Sequence, residues 1–417
     1  MKKRIILVLL LTVSLTFVSC DEDNGIDPDR QEYLIAKPLK MAKAEFRAAV
    51  DIIGPQPIGE SGKIYAYKNY IFINDKYEGV HVIDNSRPSN PRKVSFIKIP
   101  GNVDISIKDD YLYADSVSDL VVLYIGDLNK VEQVARLESV LGDNVVWPAG
   151  VQAFDWEDID YENEILVGWD VVPVNMTEDE YNEKYGARND VLFEAANVDA
   201  GTGQGGSLAR FKIVDEYLYA VDSHSINVFD ISDLEDPKSL EDVHAGFDIE
   251  TIFNKGDHLF LGSMRGMYIY DISTPATPTF ISEFAHGTAC DPVVVDDRYA
   301  YVTLRGGNGC GATESGLFII DISVIESPEL KVIYPMEEPY GLGIKDDKLF
   351  VCDGKAGLKV YDKSNVPDLP QLNHFKDINT FDVIPLESTL LMVGDGTLYQ
   401  YRYADDGIEH LSTLMLN

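Results

Sequence analysis

Short runs in which apolar residues alternate with others, each closing on an aspartate and followed by a Ser/Pro turn, recur along this chain. The cleanest copy is Gly357-Leu358-Lys359-Val360-Tyr361-Asp362. Val80-His81-Val82-Ile83-Asp84 leads into Asn85-Ser86-Arg87-Pro88, and Ile226-Asn227-Val228-Phe229-Asp230 into Ile231-Ser232. Met267-Tyr268-Ile269-Tyr270-Asp271 and Leu317-Phe318-Ile319-Ile320-Asp321 both lead into Ile-Ser. Weaker copies end at Tyr124 and Arg402. Alternation at period two, rich in Val, Ile, Tyr and Phe, predicts half-buried strands.

The closing positions are 84, 124, 230, 271, 321, 362 and 402, so the step is about 40 residues once two insertions are set aside. A period near 40 with four short strands per unit is the signature of a β-propeller. In the sixth unit, 340–344 is expected as strand A, 348–352 as B, 358–362 as C and 371–375 as D. The chain therefore reads as all-β, a seven-bladed β-propeller of four-stranded blades, with one large insertion between blades two and three.

These phrases resemble the LVIVD repeat family, which is named for them and is common in Bacteroidetes surface proteins. The resemblance covers roughly Gly62 to Asn417 apart from the insertion. It implies propeller blades and carries no enzymology. Repeats two and seven depart from the pattern, with Tyr124 and Arg402 at the Asp place.

At the N-terminus, Lys2-Lys3-Arg4 precedes an apolar run from Ile5 to Val18. Fourteen residues suit a signal-peptide core better than a membrane span. Val18-Ser19-Cys20 is similar to a bacterial lipobox, with Phe17 where Leu is usual, which makes 1–20 a lipoprotein signal and Cys20 the acylated residue. Asp21-Glu22-Asp23 resembles the surface-export signal of Bacteroidetes lipoproteins. Residues 21–43, with Pro28 and Pro38, read as an acidic flexible tether, and 44–417 as the propeller domain. Glu45–Ile53, where apolar residues alternate, is readable as a strand added near the closing blade, and Lys40–Val50 equally as a short helix. The net charge is −35. Such a surface repels phosphate backbones, which excludes nucleic acid as a partner.

Strand order alone sorts the loops. B–C loops and D–A connections emerge on one face, A–B and C–D turns on the other. The Asp/Ser/Pro turns are C–D turns, whose side chains bond local backbone N–H groups. Irregularity lies on the opposite face: the 141–206 insertion is a D–A connection, and 306–316 is the B–C loop of blade five. The insertion holds all three tryptophans, Trp147, Trp156 and Trp169. Thr177-Glu178-Asp179-Glu180 reads as a capping box opening a helix that stops at Gly186. A hairpin over a strand-like 165–174 together with that helix is expected there. Its aromatics form either a small core or a stacking platform for a sugar or peptide. The carboxylates of Asp158, Asp160 and Glu162 lack the glycine spacing of an EF-hand calcium loop.

Aligning the starts of strand A places Asp104, Asp248, Asp291 and Asp382 at the channel mouth on the irregular face. His244 and His286 lie in neighbouring connections, Arg265 and Arg305 in B–C loops, and Tyr340 where blade six enters. The Asp residues either cap their own strands or form a polar funnel. No Gly-x-Ser-x-Gly elbow, His-Glu-x-x-His or Walker loop is present, and no cofactor is implied. Cys352 is expected as a buried thiol in strand B of blade six, and Cys290 with Cys310 as a disulfide.

These features describe a monomeric outer-membrane lipoprotein, exposed at the cell surface or, alternatively, facing the periplasm. It would bind a glycan or protein ligand at the channel mouth, with the tryptophans as wall. The alternatives are a lyase or hydrolase using the Asp/His/Arg funnel, and a structural scaffold in an envelope assembly. If Cys20 carries the lipid, Cys20→Ala moves the protein from the membrane fraction to the soluble one on cell fractionation. Unchanged membrane retention refutes the assignment.

Overall fold

In the computed structural model, residues 30–142, 148, 151–156, 159–186, 206–287, 292–306 and 314–417 are described. Seven antiparallel sheets follow one another along these residues: 61–98, 105–137, 211–244, 249–285, 293–335, 342–375 and 382–415. Within each, strands A to D run in chain order, and the A strands of successive sheets lie side by side around an axis. Every neighbouring pair shares an apolar cluster, from Phe72, Ile97, Leu112 and Val121 between the first and second sheets onward. The last pair closes the circle: Ile73 and Ile83 of the first sheet pack on Leu391, Leu398 and Leu416 of the seventh. The fold is a β-propeller, and these seven sheets are its blades.

Blade six shows how local pattern becomes structure. Its strands are Leu342–Lys345, Lys348–Cys352, Leu358–Asp362 and Gln371–Phe375, with only the first offset from the alternation in the sequence. The closing aspartates do what their turn chemistry requires. Asp84, Asp230, Asp271, Asp321 and Asp362 each accept the backbone N–H two residues on, at 2.6–3.0 Å. The hydroxyl of the serine there, together with that N–H, holds all five carboxyls below the ordinary range.

The N-terminal segment differs from the flexible tether read over 21–43. Arg30–Ala42 is a thirteen-residue strand, paired along its length with Glu164–Thr177 of the insertion and briefly with Ala153–Phe154. The insertion strand thus finds a partner far away in the chain instead of in a hairpin of its own. Tyr33 and Ile35 are buried by this pairing, against Met176 and Tyr185. Lys43–Ala48 is a short helix and Asp51–Ile53 adds a fifth strand to the outer edge of blade one, so both readings of 44–53 hold in part. The strand does not reach the closing blade. The capping box is present: Thr177 Oγ1 accepts from Glu180 N at 3.2 Å, Glu180 Oε2 accepts from Thr177 N at 2.9 Å, and the helix Glu178–Tyr185 ends at Gly186. This added sheet docks on the irregular face over blades one and two, through Phe46, Val117 and Val167 and through Gly168 against the Tyr77 ring.

Blades are also latched by hydroxyls that reach the next blade's C–D turn. Tyr113 donates to Leu234 O at 3.1 Å, Tyr219 to Pro275 O at 2.8 Å, and Ser282 to Ile325 O at 2.6 Å. At the seam, Ser412 donates to Pro88 O at 2.5 Å and Gln400 to Asn85 Oδ1 at 2.7 Å. Leu416 is fully buried there, and its carbonyl accepts from Ile58 N and Lys93 Nζ. Leu416→Ala should lower unfolding free energy by about 2–5 kcal/mol. Leu330→Ala, on the exposed outer edge of blade five, should change it by under about 0.5 kcal/mol. Urea titration of both variants checks this.

Candidate functional site

The axis of the ring is filled on the irregular face by the exit of the insertion. The 3-10 turn Gly206–Leu208 touches the A strands of blades one, four, five, six and seven. Buried backbone needs partners, and two aligned aspartates supply them. Asp104, 3% exposed, accepts from Arg210 N at 2.5 Å, Phe211 N at 3.0 Å and Lys63 Nζ at 2.7 Å through Oδ2, and caps its own strand through Ile105 N. Asp382, fully buried, meets Ser207 Oγ at 3.5 Å, and Ser207 Oγ accepts Leu342 N at 2.9 Å. Asp382 Oδ2 has no hydrogen-bond partner among the described residues. Burial pushes the Asp382 carboxyl well up, raises Asp115 to about 6 and lowers Lys63 to about 8. Asp104 and Asp382 therefore hold the plug; of the two readings of these aspartates, strand capping holds for Asp104, and neither lines an open funnel.

A second set of aspartates went unnoticed in the sequence. Asp75, Asp115, Asp222 and Asp353 end or follow strand B. Asp75 accepts Gly59 N and Glu60 N, Asp115 accepts Val103 N and Asp104 N, and Asp353 accepts Glu337 N and Glu338 N. Asp75, Asp115 and Asp353 each fasten the incoming connection to their blade, whereas Asp222 caps its own B–C loop by accepting His224 N and Ser225 N. A residue of strand C completes the clamp: His81 Nε2 at 3.0 Å from Asp75, Asn227 at 3.1 Å from Asp222, and Lys359 on Asp353. The spacing from 75 to 115 repeats the step of about 40 residues, a signal the sequence did carry.

The third aligned aspartate behaves differently. Asp248 stands at φ +55° between blades three and four, half-exposed, with Arg265 Nε 3.0 Å from its Oδ2. Beside it, the Phe247 ring is 52% exposed. The rings of His224 and His244 meet it edge to face, at centroid distances of 5.6 and 5.8 Å, and the Arg265 guanidinium lies 5.6 Å from its centre. The loops are fixed by backbone bonds from Ala245 N to His224 O at 2.7 Å and from Ile249 N to Ser223 O at 3.1 Å. The structure thus brings together Asp248, His244, Arg265 and His224. Sequence reasoning missed Phe247, an apolar ring in a polar connection between Gly246 and Asp248.

Of the other candidates, His286 adjoins this group through its backbone, its N–H donating to Arg265 O at 3.1 Å. Arg305 stacks on Tyr340 at 4.2 Å and donates to its hydroxyl at 3.1 Å, and that hydroxyl donates to Glu338 at 3.0 Å. Burial lowers His286, whose ring lies 2.6 Å from Gly287 O. Trp156, Trp169 and Phe154 pack edge to face at 4.9–5.0 Å, with Trp169 buried, as the small core of the insertion. Asp160 caps a turn by accepting Glu162 N at 3.1 Å. Among the described residues no group of three or more His, Cys, Asp or Glu could hold a metal. Cys352 is a free, fully buried thiol. Cys20, Trp147, Asp158, Asp291, Cys290 and Cys310 lie outside the described residues.

The LVIVD repeat model matches residues 58–96, 250–285 and 286–335. The chain carries LVIVD repeats. The matched spans coincide with blades one, four and five, whose closing phrases keep their aspartate. Among solved structures, the computationally designed Ika8 protein is 11% identical over 91% of this chain and 89% of its own, with a TM-score of 0.51. Hsv2 of Kluyveromyces lactis is 10% identical over 86% and 99%, with a TM-score of 0.50. BamB of Moraxella catarrhalis is 9% identical over 84% and 86%, with a TM-score of 0.49. At these identities the likeness is one of fold alone. No curated protein matches in sequence.

The plug cluster makes stability pH-dependent. Asp115 and Asp382 bind a proton more tightly folded than unfolded, so their contribution is fully present below about pH 4 and is lost as pH rises through the folded values, near 6 for Asp115. The turn aspartates have the opposite sign, and their contribution is lost as pH falls below the ordinary carboxylate value. Asp382→Asn keeps the acceptor for Ser207 and removes the buried charge. It should raise the melting temperature at pH 8 by about 2–4 °C and leave it nearly unchanged at about pH 4.5. A lower melting temperature at pH 8 would mean that the ionised carboxylate is needed there.

Proposed function

We propose that this LVIVD-repeat propeller is a binding module whose ligand rests on the irregular face, at the rim between blades three and four. The observation that carries this reading is Phe247, a half-exposed aromatic ring bracketed by two imidazoles and a guanidinium on loops that backbone bonds hold rigid. A planar apolar surface ringed by a few oriented polar groups is the usual composition of a recognition site. The plug favours a rim site over an axial one, since Gly206–Leu208 occupies the axis. The strongly shifted acids, Asp115 and Asp382, lie with the plug rather than beside Phe247, which favours binding over catalysis. A glycan fits a flat ring flanked by N–H donors, and a protein side chain is the alternative occupant.

Attachment to the outer membrane through an acylated Cys20, with the module at the cell surface, completes the proposal. No helix among the described residues is long and apolar enough to cross a membrane. A glycan array probed with residues 21–417 tests the site. Phe247→Ala should weaken every hit about tenfold, the equivalent of one aromatic contact. Because the ring is exposed, stability should move by no more than about 0.5 kcal/mol. Hits that survive Phe247→Ala unchanged place the site elsewhere.

A further inference from the structure

Arg265 is held in a way that decides what it can recognise. Asp248 takes its Nε at 3.0 Å, and no acceptor among the described residues engages the two Nη groups. The guanidinium is therefore fixed from behind, with its forked end left to meet a planar acceptor. The ring nitrogens of His224 and His244 likewise make no hydrogen bond to the described residues, although both rings are positioned by Phe247. Another acid on these loops, Asp222, is engaged by His224 N and Ser225 N at 2.8 Å and by Asn227 at 3.1 Å. Three groups able to donate N–H bonds thus lie around one half-exposed phenyl ring, in a chain whose net charge is −35.

We infer that the ligand presents a pyranose bearing a single carboxylate, a uronic-acid type of sugar, with its apolar ring face on Phe247 and its carboxylate on the Arg265 fork. This rests on the binding reading above and narrows it. A flat ring with an acid at its edge matches a phenyl face whose donors all lie within about 6 Å, the range over which a cation still interacts with a ring. The overall charge restricts the ligand further. The Debye length in physiological salt is about 8 Å, so the patch attracts an acid that lies on it. Acids further along a densely charged chain would meet the acidic surface around it and be repelled. An isolated acidic sugar among neutral ones satisfies both conditions.

Ligand-observed NMR of residues 21–417 with methyl β-D-glucuronide and methyl β-D-glucoside tests this, because the two differ only in the carboxylate. The glucuronide should bind about tenfold tighter, the size of one charge-assisted hydrogen bond. Arg265→Gln should abolish that difference, and Phe247→Ala should weaken both sugars. Equal affinities in the wild type, or a preference that survives Arg265→Gln, overturn the acidic-sugar assignment and leave the rim site standing. Binding of either sugar that is indifferent to Phe247→Ala overturns the rim site as well. If neither sugar binds but a peptide ending in a free carboxylate does, lost in Arg265→Gln, the saccharide class is wrong. Polygalacturonate binding more tightly than the glucuronide in about 0.15 M salt would contradict the single-carboxylate rule.

Discussion

A blade with two apolar faces cannot be left with either face bare, and this constraint governs the molecule. Blades two to six each bury one face on the preceding blade and one on the next, so an open row would expose the first and last. Closure of blade seven onto blade one removes both bare faces at once, through Ile73, Ile83, Leu391, Leu398 and Leu416. All four strands of blade seven come from the end of the chain, so no strand is shared across the seam. Side chains and the Leu416 carbonyl bridge it instead. The Asp51–Ile53 strand covers the outer edge of blade one, a site that does not bear on closure.

A closed ring leaves an axis lined by A strands, and here a piece of backbone enters it. Peptide groups taken out of water must be paired, which accounts for the carboxylate of Asp104 under Arg210 and Phe211 and for Ser207 beneath Leu342 N. Burial around the plug displaces Asp115 and Asp382 upward and Lys63 downward. Gly341 belongs to the same arrangement, since a Cβ there would meet Asp382 Oδ1 at 1.9 Å. The insertion is thus fastened at its exit by the plug on the axis and at its middle by Val167 and Gly168 over blades one and two. The rim between blades three and four carries the exposed ring of Phe247.

The repeat carries the architecture, because strand periodicity and turn chemistry are local. Alternation over 358–362 and the Asp-to-Ser turn each need only neighbours in sequence, and both formed where the pattern placed them. The capping box at Thr177 and the buried thiol of Cys352 were legible for the same reason. The clamp aspartates 75, 115 and 353 also sat in the repeat, but their partners lie on a different strand or connection, so their role could not be read from spacing alone.

Tertiary structure decided whatever depended on distant partners. Arg30–Ala42 looks like a linker, with its proline and charges, and becomes a strand only because Glu164–Thr177 lies alongside. Asp104, Asp248 and Asp382 occupy similar places in their repeats, yet the plug buries two of them and leaves the third beside Arg265. Equal position in a repeat fixes a residue's direction from its own sheet. What it meets there is set by the non-repeating parts of the chain, which the period does not describe.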